Sequence, residues 1–289
     1  MEMDPRNGTI SPEDTGALRV GELPELHMVP LDAIVLHEDP DMERVARLVD
    51  RFSADGVLKN PPVVGRSPGH RHIVLDGANR VTALRKLNYT HVLVQELNLF
   101  DPGLQLESWH HAVEHVTADE LLAHAAGVEG VRPVEGEAPH ISHASVLARF
   151  RFPQRASVTL VGAEDLLERV RQLHGITRVY HRFSSFDRVS YSGMDHLLRN
   201  YRGFTGLISF RRFSLEDLQT VTNRERTVPS GITRILLPKR ALRFNLQLEL
   251  LRAGLSLEEK ETWLQQTIRE RVAEKAIRFY REPTFFFDE

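Results

Sequence analysis

The chain has 289 residues, 41% of them hydrophobic and 27% charged, with a formal net charge of -3. That is enough apolar material for two domains or one elaborated domain, and the slightly acidic balance argues against non-specific nucleic-acid binding as the main role. The absence of cysteine excludes disulfides, thiolate zinc sites and cysteine nucleophiles. No apolar run reaches membrane-spanning length, and the opening "MEMDPRNGTISPEDTG" lacks a charged-then-apolar signal, so a cytoplasmic protein without a membrane partner is expected.

Residues 1–24 are polar, aperiodic and rich in Gly, Pro and acidic side chains, which reads as a mobile tail. An extended segment from His27 to Asp41 follows, with Leu31, Ile34 and Leu36 apolar, and ends in Glu38, Asp39 and Asp41 just before a helix, where carboxylates complement the dipole. That helix, "MERVARLVDRFSADG", puts Val45, Leu48, Val49 and Phe52 on one face and stops at Gly56. "VLKNPPVVGRSPGHRHIVLDG" supplies two short strands around a turn, with Pro61 and Pro62 at an edge or strand start, and "THVLVQELNL" is a further strand.

Between them, "HIVLDGANRVTALRKLN" (His72 to Asn88) reads as a buried strand turning sharply at Asp76-Gly77 into a helix with Val81, Leu84 and Leu87 on its apolar side. Such a turn leaves the first helical N–H groups unpaired at the positive end of the dipole, a place that holds phosphate. Gly77 lets a ligand approach the backbone, Arg80 adds a forked cation, and Asp76 can bind a metal ion or accept a proton. The plainer reading makes Asp76 an N-cap and Arg80 a solvated side chain.

The order "LHEDPD", helix, "DGVLKNPPVVGR", "IVLDGANRVTALRKLN" resembles the ParB/sulfiredoxin fold over roughly Val29 to Leu99. The resemblance implies an α/β (α+β) protein with a nucleotide-binding module at residues 25–105 and a mixed α/β region at 106–289 completing the substrate pocket. The superfamily holds CTP-binding partition proteins, ATP-using sulfiredoxins and free L-serine kinases, and the letters of the turn separate these branches. Ala78 stands where sulfiredoxins have their nucleophilic cysteine. Ala78 and Asn79 replace the Glu-Arg of partition proteins, and Thr82 replaces their later arginine.

The serine kinases are more similar. They share a glutamate after the first strand and an Asp-Gly-x-x-Arg turn at about the spacing from Glu38 to Asp76, with a tryptophan near the serine pocket where Trp109 stands. One of them has two histidines in the turn, where this chain has Ala78 and Asn79. The resemblance implies phosphorylation of free L-serine to O-phospho-L-serine with ATP or ADP and Mg²⁺, in one branch within a siderophore pathway. Glu38 then orients the acceptor hydroxyl and takes its proton. Asp76 holds Mg²⁺ or shares the base role, while Gly77, Ala78, Asn79 and Arg80 hold the nucleotide phosphates, with the Thr82 hydroxyl as a further candidate.

From Gln105 to Ala125 the sequence has helical character, which sets His111 and His115 four apart on one face; this is a zinc-ligand spacing or, without an obvious third ligand, a solvated or supporting pair. Ala126 to Ala144 reads as a surface excursion, either a lid or a plain insertion. The second half then alternates: a strand "ASVTLVGA", a helix ending near Gly175, a strand "RVYHRF", a strand "FTGLISFRRFS", and a helix opened by Ser214. In "VPSGITRILLPKRALRFNLQLELL", Gly231, Thr233 and Arg234 lie in a turn just before an apolar strand, and Arg240 and Arg243 flank the next. Thr233 and Arg234 suit an amino-acid carboxylate, and a similar Gly-Ile/Val-Thr-Arg segment is read in the serine kinases. The last long amphipathic helix, with Leu257, Trp263, Leu264, Ile268 and Val272 on one side, is a packing or dimer element; a homodimer is left open. The alternative is a ParB-like nucleotide-binding regulator that binds DNA. "SLEDLQTVTNRERTVPSG" is the one stretch available for its helix-turn-helix, and strand-like "ITRILL" stands where the recognition helix belongs, so DNA is not the expected partner.

Overall fold

A computed structural model describes residues 20–66, 71–136, 142–190 and 193–280. The tail expected over residues 1–24 therefore lies outside the described residues up to 19, as do residues 137–141 of the surface excursion; its last part is no tail, since Val20–Glu22 form a short 3-10 turn and Leu23 packs against the first core.

The first part of the chain comprises β1 (Leu26–Pro30), β2 (Ile34–Leu36), α1 (Met42–Asp55), β3 (Val57–Leu58), β4 (Val63–Arg66), β5 (His72–Asp76), α2 (Ala78–Lys86) and β6 (His91–Asn98). Five of the strands form a mixed sheet in the order β1-β6-β4-β5-β2, in which β2 runs parallel to β5. Alternation divides its residues between two cores. Val64 and Val74 face α1 and α2, with Val45, Phe52, Val81 and Leu84. Val63, Ile73 and Leu75 face the other way, against Leu99 and Leu104. Asp41 caps α1 by accepting from the N–H groups of Glu43 and Arg44, and Gly56 ends it.

The middle of the chain supplies β7 (Gln105–Ser108), β8 (His110–Glu114), α3 (Ala118–Ala126), β9 (Arg132–Glu135), β10 (Val146–Phe152), β11 (Arg155–Val161), α4 (Leu166–Phe183), β12 (Ser185–Val189), α5 (Met194–Asn200), β13 (Phe204–Phe210) and α6 (Leu215–Asn223). Six strands make a second, antiparallel sheet in the order β12-β8-β13-β10-β11-β9. Phe150, Leu160 and Ile208 pack one face of it under α3, α4 and α6, while Leu197 of α5 meets Ala112 and Leu207 on the other.

Two expectations are corrected here. Residues 105–114 are strands, not helix: β7 and β8 find partners far away in sequence, and the helix starts only at Ala118, after the Thr117/Glu120 capping box. "RVYHRF" continues α4 instead of forming a strand. Gly175 is no terminator; a Cβ there would lie 2.7 Å from Val128 Cγ1, so the glycine lets α4 pack closely.

The chain closes with β14 (Thr233–Leu236), β15 (Leu246–Gln247), α7 (Leu248–Arg252) and α8 (Leu257–Ala273). β14 pairs with β7 in a two-stranded ribbon between the sheets, and β15 pairs with β3. Residues from Phe244 to Ile268 return to the first core, where Leu246, Leu251, Leu264 and Ile268 join α1 and α2. α8 lies along β1, where a Glu261 carboxylate oxygen accepts the Met28 N–H at 2.7 Å. Trp263, expected on its apolar side, is 38% exposed, because the buried face is set by Leu264 and Ile268. No helix among the described residues is long and apolar enough to cross a membrane.

Candidate active site

The parallel pair β2–β5 fixes where the two acids emerge. Its register matches Ile34 with His72 and Leu36 with Val74, so Glu38 and Asp76 leave adjacent strands at the same carboxyl end. In open α/β sheets that end, next to a helix N-terminus, is where ligands bind. His37, between strand and helix, is buried: its Nδ1–H donates to the Val74 carbonyl, and its Nε2 lies 2.9 Å from the Thr233 hydroxyl. Glu38 forms a bridge with Val228, and one of its carboxylate oxygens accepts the Gly231 N–H at 3.1 Å and lies 3.3 Å from the same Thr233 hydroxyl. Asp39 turns to the Thr227 hydroxyl and His174, and Asp41 to its capping role, so of the three acids Glu38 is the one placed at this junction.

Asp76 is not a cap. Gly77 takes that position with φ +100 and no side chain caps α2, so its first N–H groups carry no side-chain partner. One Asp76 carboxylate oxygen is shared by Arg80, at 2.6 Å, and Arg240. Burial works to raise the Asp76 pKa, but the two guanidinium charges and their hydrogen bonds outweigh it and hold the group ionised, down to about 2, although its side chain is 47% exposed.

Arg80 is more fixed than a phosphate-reaching cation: it also donates to the Asn60 carbonyl at 2.8 Å and the Pro61 carbonyl at 3.2 Å, clamping the Pro61-Pro62 turn. The Asn79 side-chain oxygen accepts the Asp41 N–H at 2.8 Å, which ties the two helix starts together. Thr82 bonds back to the Ala78 carbonyl at 2.8 Å, so its proton serves the helix and only its lone pairs face outward. What the turn offers a phosphate is chiefly backbone, at Gly77, Ala78 and Asn79. Gly77→Ala is expected to cost about 1–2 kcal/mol, because an alanine at φ +100 is strained and its Cβ would meet Pro62 Cβ at 3.0 Å. Thermal melts of that variant measure the strain.

The residues expected at the acceptor divide between two faces. Thr233 turns toward His37 and Glu38. Arg234, next in the strand, turns the other way, lies over the Trp109 ring with its guanidinium 4.8 Å from the centroid, and pairs with Glu107 at 3.3 Å.

The histidine pair is corrected as well. His111 sits on a strand and His115 follows it with φ +63; four residues along a strand span about 13 Å, too far for one ion. Among the described residues no group of three or more His, Asp or Glu is placed to hold a metal ion by itself. His111 has a different task. Fully buried and stacked on Phe186, it donates from Nε2 to the Gly231 carbonyl at 2.9 Å and accepts at Nδ1 from the Tyr180 hydroxyl at 2.6 Å. It thus braces the turn whose N–H holds Glu38.

Burial keeps the His111 ring neutral, with its pKa lowered to about 3. Its folded pKa lies below the unfolded value near 6.5, so stability that is complete above pH 6.5 is lost as pH falls toward 3, at up to about 1.4 kcal/mol per pH unit. Melting curves from pH 7 to 5 are expected to show this decline, and His111→Gln to flatten it.

Three participants escaped the sequence reading: His37, the Asp76 partnership of Arg240, and Arg188. The last packs against Gly231, where an added Cβ would fall 2.1 Å from its Nε. None carries a local signal, since each reaches the site across long stretches of chain.

No family model matches the chain. The ATP-dependent L-serine kinase SbnI of Staphylococcus aureus is 24% identical over 241 residues, covering 83% of this chain and 89% of that one. An ATP-dependent L-serine kinase of Staphylothermus marinus is 28% identical over 106 residues, 36% of this chain and 41% of its own. Among solved structures, SbnI with a C-terminal truncation superposes with a TM-score of 0.70 at 21% identity, covering 87% of this chain and 97% of that one. A free serine kinase in complex with AMP gives 0.68 at 15% identity, covering 79% and 94%. The chain is thus similar over most of its length to one ATP-dependent L-serine kinase, SbnI, over about a third of it to others, and has the mixed α/β fold of the solved serine kinases.

Proposed function

We propose that the protein phosphorylates free L-serine to O-phospho-L-serine, with ATP as donor, at the junction of Glu38 and the Asp76-Gly77 turn. The observation that carries this reading is the shared strand end: a carboxylate held by Gly231 and Thr233 stands beside an uncapped helix N-terminus flanked by Asp76. The likeness to L-serine kinases supports it, as does a free serine kinase mutant of the same fold in complex with ADP, whose TM-score is 0.66. Residues 25–105 are read as a ParB/sulfiredoxin-like module, with Phe244 to Ile268 packed back on it.

Phosphoryl transfer through a loose transition state asks mainly for positioning and charge neutralisation. The backbone of Gly77, Ala78 and Asn79 binds the donor's phosphates, with Arg80 and Arg240 behind them. Glu38 orients the serine hydroxyl and takes its proton as the new O–P bond forms. Thr233, through its hydroxyl, holds Glu38 in line, and Trp109 with Arg234 stiffens the ribbon that carries Thr233. The residues fit Mg²⁺: it is commonly bound by one or two carboxylates and substrate phosphates, and the Asp76 oxygen not engaged by the two arginines is such a ligand. Bound there, the ion would supply charge neutralisation on the phosphate oxygens.

The DNA-binding alternative loses its element, because α6 is followed by β14 and not by a second helix. Incubation with L-serine, Mg²⁺ and ATP or ADP, followed by phosphorus NMR, tests the reading. Phosphoserine formed with ATP is expected; no phosphoserine with either nucleotide contradicts it.

A further inference from the structure

An amino-acid acceptor brings a carboxylate, which needs a cation on the far side of the hydroxyl from the donor's phosphates. Arg234 is turned away and paired with Glu107, and Arg80 and Arg240 hold Asp76. Arg188, at the edge of the second sheet, packs directly against Gly231, the residue whose N–H holds Glu38. Its one hydrogen bond among the described residues, to the Ser230 hydroxyl at 3.2 Å, leaves most of its donors for a ligand.

We propose that Arg188 grips the carboxylate of the amino-acid acceptor, which makes it the residue selecting α-amino acids over other hydroxyl compounds; this rests on the kinase reading above. A carboxylate matches the planar fork of a guanidinium through two parallel hydrogen bonds, and the tight seat against Gly231 fixes the fork's plane. Glu38 stands within electrostatic reach of Arg188 without forming an ion pair with it. Burial opposes the charge of Arg188 and Glu38 favours it, so a bound anion would relieve a desolvated cation. A serine bridging the two would present its hydroxyl to the Glu38 carboxylate and its own carboxylate to the Arg188 guanidinium.

The test compares L-serine with L-serinamide, which keeps the hydroxyl and amine but lacks the carboxylate. Arg188→Ala is expected to raise the KM for L-serine roughly 10- to 100-fold, the scale of a lost charge-assisted contact, while the KM for ATP stays within twofold. The preference for L-serine over L-serinamide in kcat/KM should fall at least about tenfold, with Arg234→Ala keeping that preference. Where the alanine variant does not fold, Arg188→Lys, which keeps the charge and loses the fork, carries the same comparison with a smaller expected drop. An equal fall for both acceptors, as for a group acting on the transferred phosphoryl, or an unchanged preference overturns the Arg188 assignment alone. Wild-type protein that phosphorylates neither acceptor overturns the kinase reading and the assignment with it.

Discussion

Glu38→Gln is expected to reduce kcat for L-serine phosphorylation roughly 10²- to 10⁴-fold while leaving nucleotide affinity within about twofold. Glutamine is the informative replacement. Its amide oxygen still accepts the Gly231 N–H, which Glu38 holds at 3.1 Å, so the turn keeps its partner. Alanine would strand that N–H in a half-buried site, at about 1–3 kcal/mol, and mix a folding defect with a catalytic one. The amide cannot take the serine proton. Steady-state kinetics with a nucleotide titration separate the two effects, and undiminished turnover would remove Glu38 from the chemistry.

Asp76→Asn should be comparably severe, with a different signature. The carboxylate is pulled down to about 2 by Arg80 and Arg240, so it is fully ionised at any working pH and serves as a charge, not as a proton carrier. A neutral amide in its place removes the metal ligand and leaves two guanidinium groups without their shared anion. We expect kcat to drop at least about 100-fold and the Mg²⁺ concentration for half-maximal rate to rise, while nucleotide binding without metal is kept. Unchanged metal dependence would place the ion elsewhere. Since Asp76 is ionised throughout that range, the loss should be the same at pH 6 and pH 8.

The parts legible in the sequence are those written in contiguous residues. A buried strand, an Asp-Gly turn and an amphipathic helix announce α2 because strand period, φ-permissive glycine and helix period follow one another within seventeen residues, His72 to Asn88. Ser214 declares its helix through the chemistry of an N-cap, and the acids before α1 mark its start by complementing the dipole. What stayed hidden depends on distant pairing. Residues 105–114 carry side chains suited to a helix, and only hydrogen bonding to β14, β13 and β12 makes them strands. Thr233 and Arg234 look like one polar pair, and the alternation of a strand sends them to opposite faces. His37, Arg188 and Arg240 act through single contacts between remote elements, which no local period encodes.

The most direct measurement is a crystal structure of the Glu38→Gln protein with ATP, Mg²⁺ and L-serine. The serine hydroxyl should lie within hydrogen-bond reach of residue 38, with the nucleotide's phosphates on the N–H groups of Gly77, Ala78 and Asn79 and the metal on Asp76. A nucleotide or serine bound away from the shared end of β2 and β5 would contradict a phosphoryl transfer built on these two acids.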